Sequence, residues 1–394
     1  MHLARHLSAI PGNEVVFITQ RKDVALPGVK NIVYRPQRPV TQGVHHYLLE
    51  TETGVLNAQA VARAALSLKE SGFVPDVMLG HNGWGEIWYL KDVFPQTPLI
   101  GYFEFFYRFR GADVGFDSAE PQIFDTAPRI RTKNLGNLIA LDSVDLGQTA
   151  TRWQRSLYPE RYQSMLHAVH EGIDTRLVAP NPDARLRLPN SGMDLSRDDE
   201  VVTYVARNLE PHRGFPIFMR SLPAVLKRRP NAQVLIVGGD EVSYGHRLPD
   251  GKTHKQLMLD ELGQSLDLAR VHFLGKVSYL SYLQILQLSK VHVYLTYPFV
   301  LSWSMLEAMS AGCLLVASET APVEEVIRDG ENGLLVDFFS PDEIAERVIA
   351  ALEAGRNGYA DIRLNARRTI VENYDLKSIC LPAQLRLLET AMNR

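Results

Sequence analysis

The sequence predicts an α/β protein built from two doubly wound domains. Short apolar runs typical of buried parallel strands alternate with stretches typical of helices, and this alternation occurs in two successive series. Between the two series, residues 181–200 are rich in Pro, Asn, Asp and Arg and lack periodicity, which indicates a connection between domains. A chain of 394 residues is also too long for one ordinary hydrophobic core. We therefore place the first domain at residues 1–180 and the second at residues 181–375.

The predicted helices and strands follow from local residue patterns and from the residues that end each element. Apolar residues at helical spacing predict a helix over residues 1–10, and a run rich in Ala, Leu, Arg and Lys predicts another over 58–71, ended by Gly72. Further helices are predicted at 214–229, 343–353 and 376–392. Predicted strands of the first series lie at 14–19, 30–34, 76–80, 98–102, 138–141 and 164–169. Those of the second series lie at 201–205, 233–237, 271–274, 292–295 and 314–317.

Composition narrows the class of protein. With 45% hydrophobic and 22% charged residues the chain is typical of a soluble globular protein, and a net charge of −3 gives no field that would attract nucleic acid. Both cysteines, Cys313 and Cys380, have apolar neighbours, which favours core thiols in a reducing cytosol over a disulfide. No apolar run reaches the roughly 18–20 residues that cross a bilayer, and no signal peptide is recognisable. We expect a cytoplasmic α/β enzyme.

The most informative stretch runs from Tyr297 to Gly312. It combines a loop with a buried helix, and Glu307 lies one to two turns inside that helix. The unpaired N–H groups at a helix start, together with the helix dipole, favour an anion such as a phosphate. Ser302 and Ser304 supply hydroxyls that either cap the helix or face that phosphate. A carboxylate at Glu307 can accept hydroxyls of a sugar ring on the same ligand.

This stretch is followed by an apolar run at 313–318, the segment 320–327 and a turn at 329–333. In that order, the segments resemble the nucleotide-sugar site of GT-B glycosyltransferases of family 4. Family members usually carry two glutamates separated by seven residues; the second corresponds to Glu307 and the first to Phe299. The resemblance implies that Glu307 contacts the ribose of the nucleotide, whereas the half of the motif associated with the donor sugar is altered.

Residues 206–215 resemble the family segment in which an arginine and a lysine hold the donor diphosphate. Here the two cations are Arg207 and Arg213, and Arg213 stands where lysine is usual. Guanidinium groups donate in a planar fork that suits phosphate oxygens, and two cations would stabilise the charge that grows on the leaving diphosphate. A surface arginine pair on a strand-to-helix loop is the alternative.

The resemblance implies a GT-B fold of two Rossmann-like domains facing a central cleft, with a C-terminal helix (376–394) that crosses back to the first domain. It also implies that the backbone near Val277 contacts the nucleotide base; Gly238 is a further candidate, with a simple turn as an equal alternative. The expected donor-binding residues are Gly238, Val277, Phe299, Leu301, Ser302, Trp303, Ser304 and Glu307. No Asp-x-Asp motif occurs, which favours metal-independent transfer with no cofactor besides the nucleotide-diphosphate sugar as co-substrate.

In the first domain, residues 81–86 form a loop after a predicted strand. His81, Trp84 and Glu86 give this loop a sugar-binding composition, because an aromatic face stacks on a sugar ring while polar tips form hydrogen bonds. We expect Trp84 and Glu86 on the acceptor side and His81 as a catalytic candidate. A purely structural role for His81 is an equal alternative.

Glu104 follows the next predicted strand within an aromatic run that spans residues 102–109. Many family members have a histidine near this position; an apolar pocket would favour the protonated carboxyl and make Glu104 a candidate acid, base or hydroxyl-orienting group. A capped loop carboxylate is the alternative. The aromatic run could also touch a membrane or a lipid-linked acceptor, although core packing is favoured for most of its rings. Glu171 and Gly172 resemble the end of the family's first domain, where Gly172 fits a tight turn facing the cleft on the acceptor side.

A doubly wound domain of this class should open with a central strand, yet this chain opens at a predicted helix. Our hypothesis is that the sequence begins downstream of the true start or derives from an N-terminally shortened gene.

We expect a retaining hexosyltransferase that moves a sugar from a nucleotide-diphosphate sugar to a glycan or lipid-linked acceptor, in bacterial surface-polysaccharide or glycolipid assembly. Peripheral contact at the inner face of the membrane remains an open alternative to a purely cytoplasmic location. Two other functions also remain open: a UDP-sugar epimerase-like GT-B enzyme, and a catalytically silent protein that binds a nucleotide sugar.

Overall fold

The computed structural model describes residues 1–188 and 192–394 and divides the chain into two compact units. The first comprises Met1–Gly172 together with Leu376–Arg394, and the second comprises Ile173–Asp375. The division falls at Gly172 rather than at residue 180, where the sequence analysis placed it.

The predicted connection at 181–200 belongs to the second unit. Within it, β7 (Arg185–Arg187) pairs antiparallel with β8 (Asp194–Ser196), while residues 189–191 lie outside the described residues. The hairpin is anchored because Leu188 and Leu195 are buried in the apolar core of that unit.

The first unit contains two parallel sheets, β2–β1 and β3–β4–β5–β6. Its strands are β1 (Val15–Thr19), β2 (Val29–Val33), β3 (Met78–His81), β4 (Leu99–Tyr102), β5 (Leu146–Thr149) and β6 (Leu166–Ala168). Its helices are α1 (His2–Ser8), α2 (Leu49–Glu70), α3 (Leu90–Val93), α4 (Thr126–Lys133), α5 (Leu135–Ser143), α6 (Arg152–Ser156) and α7 (Glu160–Gln163).

Helix α2 connects the two sheets. Its Ala58 and Ala65 pack in the main core of the unit with Met78 of β3, whereas Ala60 and Val61 pack with residues of the β1–β2 sheet. Among the described residues no strand pairs with the outer edge of β1 or of β3, and all five residues of β1 are only half-buried. The first element of the chain is α1, as the sequence predicted.

The second unit is a six-stranded parallel sheet in the order β11–β10–β9–β12–β13–β14, with helices packed against it. Its sheet strands are β9 (Val201–Asn208), β10 (Gln233–Gly239), β11 (Val271–Gly275), β12 (Val291–Tyr294), β13 (Leu314–Ser318) and β14 (Leu334–Val336). Its helices are α8 (Phe215–Arg228), α9 (His254–Leu262), α10 (Tyr279–Leu288), α11 (Trp303–Ser310), α12 (Ala321–Glu324), α13 (Pro341–Gly358) and α14 (Ala360–Asn373). The chain then returns to the first unit through α15 (Leu381–Met392), which buries Leu387 and Leu388 against Ile100 and Leu146.

Two predicted elements differ from the structure. Residues 138–141 were predicted as a strand, which is wrong, because they lie in helix α5. Leu and Ala are strong helix formers, and the run is short enough to suit either element. The strand is instead β5, whose Gly, Gln and Thr gave no apolar signal although all four of its residues are buried. The predicted helix at 376–392 begins with a π-helical turn, Leu376–Cys380, before α15.

Cys313 and Cys380 are both buried and free. None of the helices in the described part of the chain is long and apolar enough to cross a membrane.

Candidate functional site

The candidate donor residues all follow strands of the second unit's sheet. Arg207 lies at the end of β9, Gly238 at the end of β10, Val277 after β11, and the loop to α11 after β12. Because these strands are parallel, their carboxyl ends meet at one edge of the sheet, which is where doubly wound folds bind ligands. The fold therefore brings the predicted donor segments to a common edge.

Helix α11 starts at this edge with its first turn capped. The Ser302 hydroxyl accepts the N–H of Ser304 at 3.3 Å, and the Ser302 N–H donates to the Tyr294 hydroxyl at 2.9 Å. Leu301 is buried, whereas Trp303 is 44% exposed. The cap therefore provides a hydrogen-bond acceptor for one N–H group of the first turn of α11. In this turn, the Trp303 indole is exposed, whereas Met305 and Leu306 are buried.

Glu307 is held by two phenols. It is 8% exposed; the Tyr279 hydroxyl donates to its Oε1 at 2.7 Å, and the Tyr282 hydroxyl donates to its Oε2 at 2.7 Å. Burial raises the pKa of Glu307, and the two hydrogen bonds oppose that rise. Sequence reasoning missed both tyrosines, although their spacing of three at the start of a helix places them on one face.

The two predicted phosphate-binding arginines differ in their surroundings. Arg207 is exposed, whereas Arg213 is 7% exposed. The Arg213 guanidinium donates to the Thr296 hydroxyl at 2.7 Å, to the Val300 carbonyl oxygen at 3.0 Å and to the Tyr294 hydroxyl at 3.3 Å. Arg213 therefore ties the loop that leads to α11 onto the sheet, and Arg207 is the cation of the pair that is open to a ligand.

Phe299 is packed into a group of aromatic rings. Its ring centroid lies 4.9 Å from that of Tyr244 and 6.2 Å from that of His212, and the Arg213 guanidinium carbon lies 5.9 Å from it. With 8% exposure, Phe299 contributes an apolar wall at the position where family members have the glutamate associated with the donor sugar.

A buried carboxylate fixes the loop that carries Tyr244. Glu210 is fully buried and accepts backbone N–H groups from Ser243, Tyr244 and Gly245 at 2.9–3.2 Å. The Tyr244 ring then lies 5.4 Å from the Arg213 guanidinium. Sequence reasoning did not single out Glu210, although this acid lies between the two arginines.

Gly238 has a packing role. A Cβ at this position would lie 2.7 Å from the Leu209 side chain and 3.0 Å from the Ala206 carbonyl oxygen. The glycine therefore allows the segment around Arg207 to pack against β10. Val277 is half-buried and packs against the apolar core beneath α10.

In the first unit, His81 and Glu104 come together at the carboxyl edge of the β3–β6 sheet. The His81 Nε2 lies 3.6 Å from the Glu104 Oε2, and the His81 Nδ1 accepts the N–H of Gly83 at 3.0 Å. The pairing follows from the parallel register in which His81 lies opposite Tyr102. The Glu104 side chain is 48% exposed, so the apolar pocket expected around this carboxyl is absent.

The remaining first-unit candidates divide between exposed and structural groups. Trp84 is 64% exposed, and its ring lies 6.4 Å from that of His81. Glu86 instead accepts the Tyr34 hydroxyl at 2.8 Å, which links the β3 loop to the end of β2. Trp84 is therefore available to a ligand, whereas Glu86 has a structural partner in Tyr34.

Glu171 and Gly172 lie at the end of the first unit. The Glu171 Oε2 is 3.8 Å from the His170 Nε2, and burial followed by the Glu171 charge raises the pKa of Tyr102. Gly172 has a φ of 93°, and a Cβ there would lie 2.6 Å from the Leu376 Cα, so this position requires glycine.

In the aromatic run after β4, Phe103 and Phe105 are buried. Within residues 1–188 and 192–394, no group of three or more His, Cys, Asp or Glu side chains is arranged to hold a metal ion.

Residues 11–178 match the family described as "Glycosyl transferase family 4 group", and residues 193–369 match that described as "Glycosyl transferases group 1". The chain belongs to the group 1, family 4 glycosyltransferases. The two matches lie in the first and second units respectively, and they confirm the resemblance drawn from the residue 297–333 segments.

Several curated relatives of this glycosyltransferase are named as glycosyltransferases. A phosphatidyl-myo-inositol mannosyltransferase of Mycolicibacterium smegmatis is 28% identical over 271 residues, or 61% of this chain and 63% of the relative. Its counterpart in Mycobacterium tuberculosis is 28% identical over 232 residues, or 52% of this chain and 57% of the relative. The alignments thus span less than two thirds of the length of these curated relatives.

Solved structures confirm the predicted GT-B fold. Sucrose-phosphate synthase from Thermosynechococcus elongatus matches with a TM-score of 0.72 at 19% identity, covering 99% of this chain and 92% of that one. A glycosyltransferase from Rickettsia africae gives 0.66 at 14% identity, with 100% and 94% coverage. Anabaena HepE, crystallised with UDP and glucose, gives 0.61 at 17% identity, with 92% and 87% coverage.

Proposed function

We propose that this family 4 protein is a retaining glycosyltransferase that uses a nucleotide-diphosphate sugar. The observation that carries the proposal is the fixed carboxylate of Glu307, which lies on α11 behind a serine-capped helix start, at the carboxyl edge of a parallel sheet. A buried carboxylate of this kind can accept hydrogen bonds from the hydroxyls of a ribose, and the N–H groups of the adjacent helix start can bind a diphosphate.

In the proposed reaction, the acceptor hydroxyl attacks the anomeric carbon from the face that the diphosphate leaves. The carbon–oxygen bond to the diphosphate breaks as the new glycosidic bond forms, and the acceptor proton passes to the leaving phosphate oxygens. Arg207 and the N–H groups near Ser302 and Ser304 stabilise the negative charge of the leaving diphosphate. Arg213 acts from behind by holding the loop to α11, through its hydrogen bonds to Thr296 and Val300.

We assign the first unit to the acceptor. The exposed Trp84 ring offers a stacking face beside the His81–Glu104 pair, which suits a sugar or another polyhydroxylated acceptor. The mycobacterial relatives are named as mannosyltransferases of phosphatidyl-myo-inositol, which favours a lipid-linked acceptor and a role in glycolipid or surface-polysaccharide assembly. We further propose that the transfer requires no metal ion and takes place at the cytoplasmic face of the membrane.

The test is donor turnover by purified protein with UDP-, GDP-, ADP- and TDP-sugars and a lipid or glycan extract as acceptor. We expect a product whose anomeric configuration, determined by NMR, matches that of the donor. Glu307→Ala and Arg207→Ala should each abolish transfer without unfolding the protein. Arg228→Ala is the matched control, because Arg228 is also an exposed arginine but is the last residue of α8, at the end of that helix that is farther along the chain from Arg207. Undiminished turnover in both site variants would refute the assignment.

Phe299 favours one second candidate, a silent nucleotide-sugar binder. Its buried ring supplies no hydroxyl-reading carboxylate where the family has one. Binding of a nucleotide sugar with no transfer to any acceptor extract would support this candidate, and release or isomerisation of the sugar without an acceptor would instead indicate an epimerase-like enzyme.

A further inference from the structure

Each oxygen of the Glu307 carboxylate already accepts one hydrogen bond from a phenol. The Tyr279 hydroxyl lies 2.7 Å from Oε1, and the Tyr282 hydroxyl lies 2.7 Å from Oε2. An ionised carboxylate has about four lone-pair sites, so about two remain. The 2′- and 3′-hydroxyls of a ribose offer two O–H donors on adjacent carbons, which matches the remaining acceptor capacity.

The two tyrosines are fixed by helix α10. They are spaced by three residues, which places them on one helix face, and their ring centroids lie 5.8 Å apart. The helix start is capped by the Ser278 hydroxyl, which accepts the N–H of Ser281 at 3.2 Å. Burial, followed by the neighbouring Glu307, raises the pKa of both phenols, so both remain protonated donors at neutral pH.

The contact is not explained by folding alone. Tyr282 is 9% exposed and belongs to the apolar core, whereas Tyr279 is 48% exposed and does not. Tyr279 is also two residues from Val277, the candidate base contact. Tyr279 therefore contacts the buried Glu307 carboxylate from a partly exposed position beside this segment.

We propose that Tyr279 and Tyr282 are positioning residues, which fix the Glu307 carboxylate so that it receives both ribose hydroxyls and selects ribonucleotides over 2′-deoxyribonucleotides. This inference rests on the proposed function, since it requires that Glu307 holds the nucleotide. One consequence is that TDP-sugars, which carry a deoxyribose, are disfavoured as donors.

The test compares Tyr279→Phe with the wild-type chain by calorimetric titration with UDP, GDP and ADP and with their 2′-deoxy counterparts. For the diphosphate that wild type binds best, we expect at least about a tenfold preference for the ribonucleotide, as one hydrogen bond to a charged group provides. In Tyr279→Phe this preference should fall several-fold, while the affinity for the deoxynucleotide changes little. If the role of Tyr279 were merely structural, Tyr279→Phe would weaken the binding of the ribonucleotide and of the deoxynucleotide equally, and the ratio of the two affinities would not change.

Tyr359→Phe is the matched control, a half-buried tyrosine at the end of α13, and it should keep the wild-type ratio. Tyr282→Phe is the second variant and should lower the ratio in the same direction. If wild type binds nucleotides but shows no ribose preference, or if either variant keeps the wild-type ratio, the inference is overturned, whereas nucleotide binding by wild type still supports a nucleotide-sugar donor. If wild type binds none of the six nucleotides, the proposed function itself fails.

Discussion

Arg207 and Arg213 look equivalent in the sequence, but the structure predicts effects of different size on stability when each is changed to alanine. Arg207→Ala removes an exposed side chain, so the free energy of unfolding should change by no more than about 0.5 kcal/mol. Arg213→Ala removes a buried guanidinium with three hydrogen bonds, of which the two shortest are 2.7 and 3.0 Å. It leaves the Thr296 hydroxyl and the Val300 carbonyl oxygen with one hydrogen bond fewer.

The magnitude for Arg213→Ala follows from these contacts. Each lost hydrogen bond to a charged donor contributes about 1.5–3 kcal/mol, and the Tyr244 and Phe299 rings add about 0.5–1 kcal/mol each through cation–π contact. Relief of the cost of burying the charge offsets several kcal/mol. We expect a net loss of about 2–4 kcal/mol.

The assay is urea unfolding followed by circular dichroism. At a typical slope of about 1–3 kcal/mol per molar urea, the Arg213→Ala midpoint should fall by about 1 M or more. Arg207→Ala should have the same urea midpoint as wild type and should nevertheless lose donor turnover. Equal midpoints for the two variants would refute the argument that Arg213 is a structural tie for the loop to α11.

Two further predictions concern backbone geometry. Gly172→Ala places a Cβ 2.6 Å from the Leu376 Cα in addition to its positive φ, so it should lower Tm clearly more than Gly12→Ala, which has a similar φ of 89° and open space around it; equal Tm values would contradict this. Glu210→Gln removes the negative charge that accepts the backbone N–H groups of residues 243–245, so hydrogen exchange of those amides should accelerate about tenfold. Unchanged protection of these amides would contradict the claim that Glu210 fixes this loop.

The fold was predictable because its signals are local. Runs such as Gln233–Gly239 and Leu314–Ser318 are apolar and short, and they alternate with helices, which specifies a parallel sheet. The segment from Tyr297 to Gly333 then indicated the family. The sequence analysis named His81 and Glu104 separately, and the parallel register of β3 and β4 accounts for their pairing in the structure.

Other features depend on tertiary contacts that sequence spacing does not encode. The burial of Arg213 could not be distinguished from the exposure of Arg207, because both lie in one short segment of the sequence and Arg213 is held by the distant residues Thr296 and Val300. Glu307 on α11 lies 28 residues after Tyr279 and 25 residues after Tyr282, which are both on α10. Strand β5 was missed because its burial comes from the sheet around it, whereas its own residues are small or polar.

The most direct test of the central claim is calorimetric titration of wild type, Glu307→Ala and Glu353→Ala with the nucleoside diphosphate that wild type binds best. Glu353 is the control, an exposed glutamate on α13. We predict that Glu307→Ala weakens binding by at least about 100-fold, because it removes two hydrogen bonds to a charged acceptor, while Glu353→Ala binds as wild type does. Equal affinity in Glu307→Ala and wild type, with both proteins folded, would contradict the assignment of the nucleotide to this edge of the sheet.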